Sequence, residues 1–282
     1  MMTETSTFRL GCAVALGLAV GLTGISADAS SVRAGFNANT LAANDDGSTG
    51  AVSLGFTANF FGVSNTAAYV NNNGNITFDS ALGTFTPFDL TSTGRQIIAP
   101  FFADVDTRGS GNTPVTYGTG TVGVQAAFGV NWVDVGYYSQ QTDKLNSFQL
   151  VLIDRSDINA GDFDFEFNYD QILWETGSAS NGTNGVGGSS ARAGFSNGTG
   201  APGTSFELAG SAVNGALLDG GSNALISDRF NSTVDGRYLF QVRNGNVVLP
   251  PNPSVVPLPA GALLLLTGIG GLAALRRRRK AA

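Results

Sequence analysis

The middle of the chain alternates apolar and polar residues with the period of a β-strand. Apolar residues at helical spacing are scarce there, whereas alternation with a period of two is common. Residues 162–169 are the clearest case, because every second side chain is aromatic and is predicted to face a core. These aromatic residues are Phe163, Phe165, Phe167 and Tyr169. The opposite face is predicted to be solvated, and it carries Asp162, Asp164, Glu166, Asn168 and Asp170.

Short strands of this kind are predicted along most of the middle region. They cover residues 51–56, 67–70, 75–78, 97–101, 120–125, 130–138, 148–153, 162–169 and 238–242. Asn-Gly pairs such as Asn73-Gly74 separate several of them, because both residues tolerate the positive φ of tight turns. Two hairpins are predicted, one turning at residues 71–74 and one connected by residues 154–161. The pattern therefore predicts an all-β fold: one large sandwich-like antiparallel domain with long Gly/Asn/Ser loops, including a mobile loop at residues 177–188.

Residues 1–29 have the parts of a secretory signal peptide. Arg9 provides the basic start, an apolar run follows it, and Ala27 and Ala29 frame an A-x-A cleavage site. The apolar run is shorter than the about 20 residues that a membrane-spanning helix needs. The mature protein is therefore predicted to begin at Ser30, and residues 30–249 are predicted to form the β domain.

The composition changes abruptly at the C-terminal end of this domain. Residues 250–259 form a Pro-rich linker, which cannot continue a sheet. Residues 260–282 combine an apolar stretch, predicted to be a transmembrane helix, with a basic cluster. This basic cluster consists of Arg276, Arg277, Arg278, Arg279 and Lys280. By the positive-inside rule the cluster stays in the cytoplasm, so the β domain is expected to face outward from either an ordinary anchor or a sorting signal.

The tail begins with Val256-Pro257-Leu258-Pro259, followed by the apolar stretch and the basic cluster. In this order the parts resemble the VPLPA-type variant of the PEP-CTERM class of sorting signals in Gram-negative bacteria. Pro257-Leu258-Pro259 stands where the main class has Pro-Glu-Pro. The resemblance implies processing by an exosortase, a transpeptidase-like membrane enzyme. It also implies an inner-membrane intermediate and a product at the cell surface or in the extracellular matrix.

Six motifs follow one another in the middle region. They are YVNNNGNITF at 69–78, IAPFFADVDTR at 98–108, FQLVLI at 148–153, FNY at 167–169 with Ile172 and Trp174, AGF at 193–195 and GRYLF at 236–240. Together they resemble the nidogen-like (NIDO) extracellular domain over residues 50–243. The resemblance implies a non-catalytic, β-rich module of extracellular and adhesive proteins, associated with cell–matrix attachment.

Composition narrows the chemistry that residues 30–256 can perform. The chain has no histidine, and its one cysteine, Cys12, lies in the predicted signal peptide, which excludes a Ser-His-Asp triad, a Cys-His dyad and a usual zinc site. Arg9 and the basic cluster lie outside residues 30–256, so this segment has 9 of the 15 Lys and Arg residues of the chain. Glu4 and Asp28 also lie outside it, which leaves 19 of the 21 Asp and Glu residues. The resulting net charge of −10 disfavours nucleic acid and anionic lipid and favours cations.

Carboxylates are the remaining candidates for catalysis. Asp164 and Glu166 are predicted to lie about 6.6 Å apart on one strand face, at 3.3 Å per residue. Inverting glycosidases separate two carboxyl groups by about 6.5–9.5 Å, but those groups flank the sugar from opposite sides. We therefore interpret the pair as solvated charges that discourage edge-to-edge pairing. The match of residues 118–123 to G-x-G-x-x-G is set aside as well, because no βαβ unit surrounds it.

Asp104 and Asp106 are the candidates for a metal site. Alternate residues of an extended segment point the same way, so both carboxylates can meet one Ca²⁺. The alternative is a structural salt bridge with Arg108. No other cofactor is expected.

Two functions are consistent with these features. The first is a non-catalytic surface or matrix protein, active in adhesion or biofilm structure by binding extracellular polysaccharide or a matrix protein. The alternative is a glycan-active enzyme or a calcium-dependent glycan-binding module. For that alternative, four aromatic residues are candidates for stacking on sugar rings, although such residues more often fill a β core. They are Trp132, Tyr137, Tyr138 and Trp174.

Overall fold

The computed structural model describes Met1 and residues 30–249. Over these residues the chain forms β-strands joined by turns and loops, with one 3₁₀ helix at Ser178–Ser180. The strands are β1 (Asn39–Thr40), β2 (Ser48–Phe60), β3 (Val63–Asn71), β4 (Asn75–Thr77), β5 (Gln96–Phe102), β6 (Val105–Asp106), β7 (Thr116–Val122), β8 (Gln125–Tyr137), β9 (Gln141–Asp154), β10 (Phe163–Gln171), β11 (Arg192–Asn197), β12 (Ser205–Glu207), β13 (Arg237–Arg243) and β14 (Asn246–Val248).

The strands form two antiparallel sheets. Sheet A has eight strands in the order β1-β7-β8-β9-β10-β13-β14, with β6 also paired to β8. Sheet B has six strands in the order β12-β11-β5-β4-β3-β2. The predicted all-β fold is therefore confirmed for the described residues.

The core between the sheets is largely aromatic. The inward side chains of β10 are all buried, as predicted, and Phe165 of sheet A packs edge-on against Phe195 of sheet B with ring centroids 5.6 Å apart. The Tyr169 hydroxyl crosses the interface and donates to the Pro100 carbonyl at 2.6 Å. Its polar tip is thus satisfied inside the core, which fixes the two sheets relative to one another.

Both predicted hairpins are present, since β3 pairs with β4 and β9 pairs with β10. The single strand predicted at 120–125 is wrong in its continuity, because β7 ends at Val122 and β8 begins at Gln125. The Gly123 φ of 61° makes the turn between them. The loop predicted to be mobile at 177–188 starts with the 3₁₀ helix, and its end is tied back by Ser189 N–H, which donates to the Ser180 carbonyl at 2.9 Å.

The outer face of β10 is mostly buried, so the prediction that it is solvated holds only at Asp170, which is exposed. Asp164, Glu166 and Asn168 are each at most 4% exposed. Residues 31–38, here called the N-terminal strap, cross sheet A and cover part of this face. Arg33 of the strap forms a bidentate ion pair with Glu166, with N···O distances of 2.6 and 2.8 Å. Since β10 lies between β9 and β13, its charges have no edge to protect.

Apolar contacts hold the other end of the strap. Phe36 is buried against Ala127, Val151 and Ile153 on the outer face of sheet A. The strap therefore forms a small hydrophobic cluster on the outer face of sheet A, which the alternation of β8 and β9 alone did not predict.

Within residues 30–249, no helix is long and apolar enough to cross a membrane. The predicted signal peptide, linker, sorting motif and transmembrane helix with its basic cluster all lie outside the described residues.

Candidate functional site

A buried, Asn-rich turn organises one end of the molecule. It runs from Asn71 to Asn75 between β3 and β4, and its four asparagines are at most 1% exposed. Gly74 sits in it at a φ of 71°, and a Cβ on this residue would lie 1.8 Å from the Phe101 carbonyl oxygen. Only glycine fits such an approach. The sequence predicted this turn, but it did not predict that the turn is buried.

Two of these asparagines bind two separate loops to the turn. The Asn72 amide donates to the carbonyls of Asp45 and Val105, both at 2.6 Å. The Asn73 amide donates to Asp46 Oδ1 at 2.9 Å, and its own Oδ1 accepts from Val105 N–H at 2.9 Å. Because each amide bridges both loops, the loop before β2 is brought against the segment that joins β5 to β6.

This juxtaposition creates an acidic cluster, which we define as Asp45, Asp46 and Asp104. One carboxylate oxygen from each residue lies within 4.8 Å of the other two. Asp104 is 1% exposed, Asp45 is half-buried and Asp46 is exposed. Asp104 Oδ2 and Asp45 Oδ1 are both buried and accept no hydrogen bond from the described part of the chain. An unmet buried acceptor of this kind costs about 1–3 kcal/mol, and more when it is charged.

Burial and like charges shift the acid–base behaviour of the cluster. Burial, with the neighbouring carboxylates adding to it, raises the pKa of Asp104 to about 7. Burial raises the pKa of Asp45 to about 6, again with help from nearby carboxylates. Arg108 lowers both values without cancelling the shift. The protein's own cations therefore leave the negative charge here incompletely balanced.

Asp106, the predicted partner of Asp104, has a different environment. Its carboxylate is held by the Arg108 guanidinium at 2.7 and 2.8 Å and by the backbone N–H groups of Arg108 and Gln140. Burial opposes ionisation, but these hydrogen bonds outweigh it and lower the pKa of Asp106 below its usual value. The salt bridge left open as the alternative is thus formed by Asp106, while Asp104 joins residues that the sequence reasoning missed.

The sequence around Asp45 and Asp46, the two residues that were missed, gave only a weak local indication of a site. They occur in Asn44-Asp45-Asp46-Gly47, where the Asn44 side chain accepts from Gly47 N–H at 2.6 Å. Such an Asx turn before a strand is common, and its acidic residues ordinarily point to solvent. Nothing in their spacing relates them to Asp104, because the turn at Asn72 and Asn73 makes the connection.

An open cleft of about 350 Å³ lies beside the acidic cluster. It is lined by Tyr137, Tyr138, Ser139, Gln141, Ser178, Gly182, Thr183 and Asn184. Tyr138 N–H donates to the Asp104 carbonyl at 3.2 Å, which places this wall directly against the cluster. Gly177 precedes Ser178 of the cleft lining, and a Cβ on Gly177 would lie 2.3 Å from Asp104 Oδ2, so a larger residue there would displace the carboxylate.

The four aromatic candidates for sugar stacking divide between the core and this cleft. Trp132 and Trp174 are fully buried, and their indole N–H groups donate to the carbonyls of Asn72 and Val135. They fill the core and are not available to a ligand. Tyr137 and Tyr138 line the cleft, and Tyr138 is the more exposed of the two.

Asp164 and Glu166 are held in ion pairs on the outer face of sheet A. Asp164 pairs with Arg155 at 2.9 Å and with Arg243 at 2.7 Å, while Glu166 is bound by Arg33 and has Arg237 3.9 Å away. The charges of both carboxylates are thus matched by arginine side chains. Their environment agrees with a structural role and gives no support to glycoside hydrolysis.

The protein is thus an all-β sandwich with a buried Asn-Gly turn, and the acidic cluster lies beside this turn. Its sequence matches the nidogen-like domain family over residues 66–123 and 115–244. These segments together span more than half of the chain, which therefore belongs to the nidogen-like domain family. Domains of this family are extracellular, adhesion-type modules.

Among individual proteins, the chain is similar to alpha-tectorin. It is 35% identical to the Mus musculus and the Homo sapiens proteins over 233 residues, and 34% identical to the Gallus gallus protein over 236 residues. These matches cover 74–75% of this chain and only 10% of alpha-tectorin. The chain thus spans about a tenth of the length of these relatives. No solved structure matches it.

Proposed function

We propose that this protein is a non-catalytic adhesion or matrix component, exported from a Gram-negative bacterium and presented outside the cell. The family membership carries the proposal, since nidogen-like domains are extracellular adhesion-type modules. The ion-paired carboxylates of β10 and the lack of histidine add support, because the described residues present no acid–base pair in a catalytic arrangement. The domain acts by binding extracellular polysaccharide or a matrix protein.

The route outward is part of the same proposal. The N-terminal signal directs export and is removed before Ser30. The tail then holds the chain in the inner membrane until an exosortase processes it at the motif Val256-Pro257-Leu258-Pro259. The support is the order of motif, apolar stretch and basic cluster in the sequence.

Terminal mapping tests the route. Intact-mass and peptide mass spectrometry on membrane, matrix and medium fractions of the host should find a chain that starts at Ser30 and lacks the residues beyond Pro259. Replacing Pro257 and Pro259 by alanine should block processing, whereas the same change at Pro250 and Pro251 should not. A wild-type chain that keeps residues 260–280 in the inner membrane would contradict the sorting step.

A clean deletion tests adhesion itself. The deletion strain should attach more weakly and form a less cohesive biofilm, and the full gene supplied in trans should restore both properties. Wild-type attachment and cohesion in the deletion strain would remove adhesion from consideration, whatever the result of terminal mapping.

The cleft beside the acidic cluster favours a second candidate, a glycan-binding module. Its lining of tyrosine, hydroxyl and amide groups suits sugar rings and their hydroxyls. Screening the full chain on glycan arrays and on the host's own polysaccharide tests this candidate. Tyr138→Ala should weaken binding at least tenfold, while Tyr117→Ala, at a half-buried tyrosine outside the cleft, should not. Release of reducing ends from the polysaccharide would indicate an enzyme instead.

A further inference from the structure

We propose that the acidic cluster of Asp45, Asp46 and Asp104 binds one calcium ion. This site differs from the pair Asp104 and Asp106 that the sequence suggested. The inference does not depend on adhesion or sorting, because it concerns only the contacts within the β domain.

The buried carboxylate of Asp104 is the first argument. Asp104 is 1% exposed, and its Oδ2 accepts no hydrogen bond from the described residues while lying in the cluster with Asp45 and Asp46. A second buried oxygen, Asp45 Oδ1, is also without a donor. Buried polar atoms are nearly always paired, so two unmet acceptors on residues of the same cluster indicate a ligand that accepts their lone pairs.

Charge balance is the second argument. Four carboxylates meet here when Asp106 is counted, and Arg108 is the basic residue that faces them. Arg108 is already committed to both oxygens of Asp106 and reaches Asp45 Oδ2 at 3.0 Å. No basic side chain among residues 30–249 forms an ion pair with Asp46 or Asp104 within 4.0 Å. A divalent cation would supply the missing positive charge.

The spacing of the oxygens favours calcium in particular. Oxygens that bind one Ca²⁺ at about 2.3–2.6 Å can lie no more than about 5 Å apart, and the three oxygens of the cluster lie within 4.8 Å of one another. Of the six oxygens of the three carboxylates, Asp46 Oδ1 already accepts from Asn73 and Asp45 Oδ2 pairs with Arg108, and water can complete the shell. Mg²⁺ needs a smaller, nearly ideal octahedron, which two consecutive aspartates on a turn fit less readily.

The bound ion would join three parts of the fold. Asp45 and Asp46 precede β2, Asp104 follows β5, and the Asp104 carboxylate lies against Gly177 in the loop after β10. Since Tyr138 is hydrogen-bonded to the Asp104 backbone, the ion would also fix one wall of the neighbouring cleft. Calcium is therefore expected to stabilise the whole domain.

Calcium titration of the full chain, purified and dialysed against EDTA, tests the proposal. Isothermal titration should show one ion per chain. The melting temperature should rise by about 5–10 °C when Ca²⁺ reaches one hundred times its Kd. Absence of saturable binding up to about 10 mM Ca²⁺, roughly ten times the weakest Kd of extracellular calcium modules, would overturn the proposal. Equal affinity for Mg²⁺ would overturn the assignment to calcium.

Two variants and a control locate the ion. Asp104→Asn should abolish the calcium-induced rise in melting temperature, and in EDTA it should melt no lower than wild type because it removes a crowded charge. Asp219→Asn, a half-buried aspartate outside the cluster, should keep the full calcium response. If Asp104→Asn does not fold, Asp46→Asn should raise the Kd at least tenfold, since Asp46 is exposed. Wild-type calcium affinity in both cluster variants would place the ion elsewhere and reject the site.

Discussion

The outer face of β10 and the acidic cluster both bring carboxylates together at low exposure, yet they resolve the charge differently. On β10, Asp164 and Glu166 are matched by four arginines, namely Arg33, Arg155, Arg237 and Arg243. In the cluster, Asp45, Asp46 and Asp104 face Arg108, whose guanidinium is already bound by Asp106. One face is balanced by the chain's own cations, and the other is not.

The comparison shows that buried acidic residues are informative only together with their partners. Breaking a paired set should destabilise the protein under all conditions, because it leaves uncompensated cations behind. Neutralising a member of the incompletely balanced cluster should cost little without calcium and should act mainly through the lost ion.

Glu166→Ala should give the largest loss of stability. It leaves Arg33 and Arg237 without their carboxylate beneath the N-terminal strap, and we expect a loss of about 2–4 kcal/mol in the free energy of unfolding, less than for a fully dry pair because Arg33 is partly exposed. Urea unfolding monitored by tryptophan fluorescence measures this loss. Asp170→Ala, at an exposed position of the same strand, should change stability by less than about 0.5 kcal/mol. Equal losses of unfolding free energy in the two variants would show that the ion pairs of Glu166 do not contribute to stability.

Asn72→Ala should cause the next largest loss of stability, because it removes hydrogen bonds that hold the loop of the acidic cluster in place. It leaves the carbonyls of Asp45 and Val105 without their donors, which should cost about 2–3 kcal/mol. It should also weaken calcium binding, since the loop that carries Asp45 and Asp46 loses its tether. Asn65→Ala, whose amide donates only to the nearby Val63 carbonyl near the surface, is the control and should retain both properties. Unchanged calcium affinity in Asn72→Ala would mean that the loop holds its shape unaided.

Glu175 shows a third way to accommodate a buried carboxylate, because backbone N–H groups donate to it. Gly215 and Leu217 donate to its two oxygens at 2.6 and 2.7 Å. In Glu175→Gln the side-chain NH₂ group faces one of these backbone N–H donors. The free energy of unfolding should fall by about 1–2 kcal/mol. Its effect is expected to be the smallest of the three.

The same residue predicts a pH dependence. Burial raises the pKa of Glu175 above its ordinary value of 4.5 in spite of these hydrogen bonds. The folded chain therefore holds this proton more tightly than the unfolded chain does. Its contribution to stability is fully present below pH 4.5 and is lost as the pH rises through the folded pKa. Across a pH series of thermal melts, the gap between wild type and Glu175→Gln should narrow with rising pH, and a constant gap would contradict the shift.

The sequence predicted the fold where period and turn signals agreed. The aromatic alternation at Phe163, Phe165 and Phe167 correctly gave the inner face of β10, and Asn73-Gly74 correctly gave a hairpin. The outer face of β10 was mispredicted except at Asp170, because alternation does not show that a segment far away in the chain covers the face. Short strands such as β6 and β12 were missed, since two or three residues carry no period.

The candidate site was predicted only in part. Asp104 was named from its local motif, but Asp106 proved to be the partner of Arg108, and Asp45 and Asp46 were not considered. Local spacing states which side chains of one segment share a face. It does not state which distant loop lies opposite, and here the amide groups of Asn72 and Asn73 decide that question.

The N-terminal strap has a consequence for the order in which the chain acquires its structure. Arg33 contacts a residue 133 positions later, and the Ser31 carbonyl accepts from Arg237, 206 positions later. The first residues of the domain therefore cannot reach their final places until almost the last strand has been made. Contacts of such long range slow folding. The strap can therefore dock only after nearly the whole chain has been synthesised. In a partly synthesised or truncated domain, the acidic face of β10 stays uncovered.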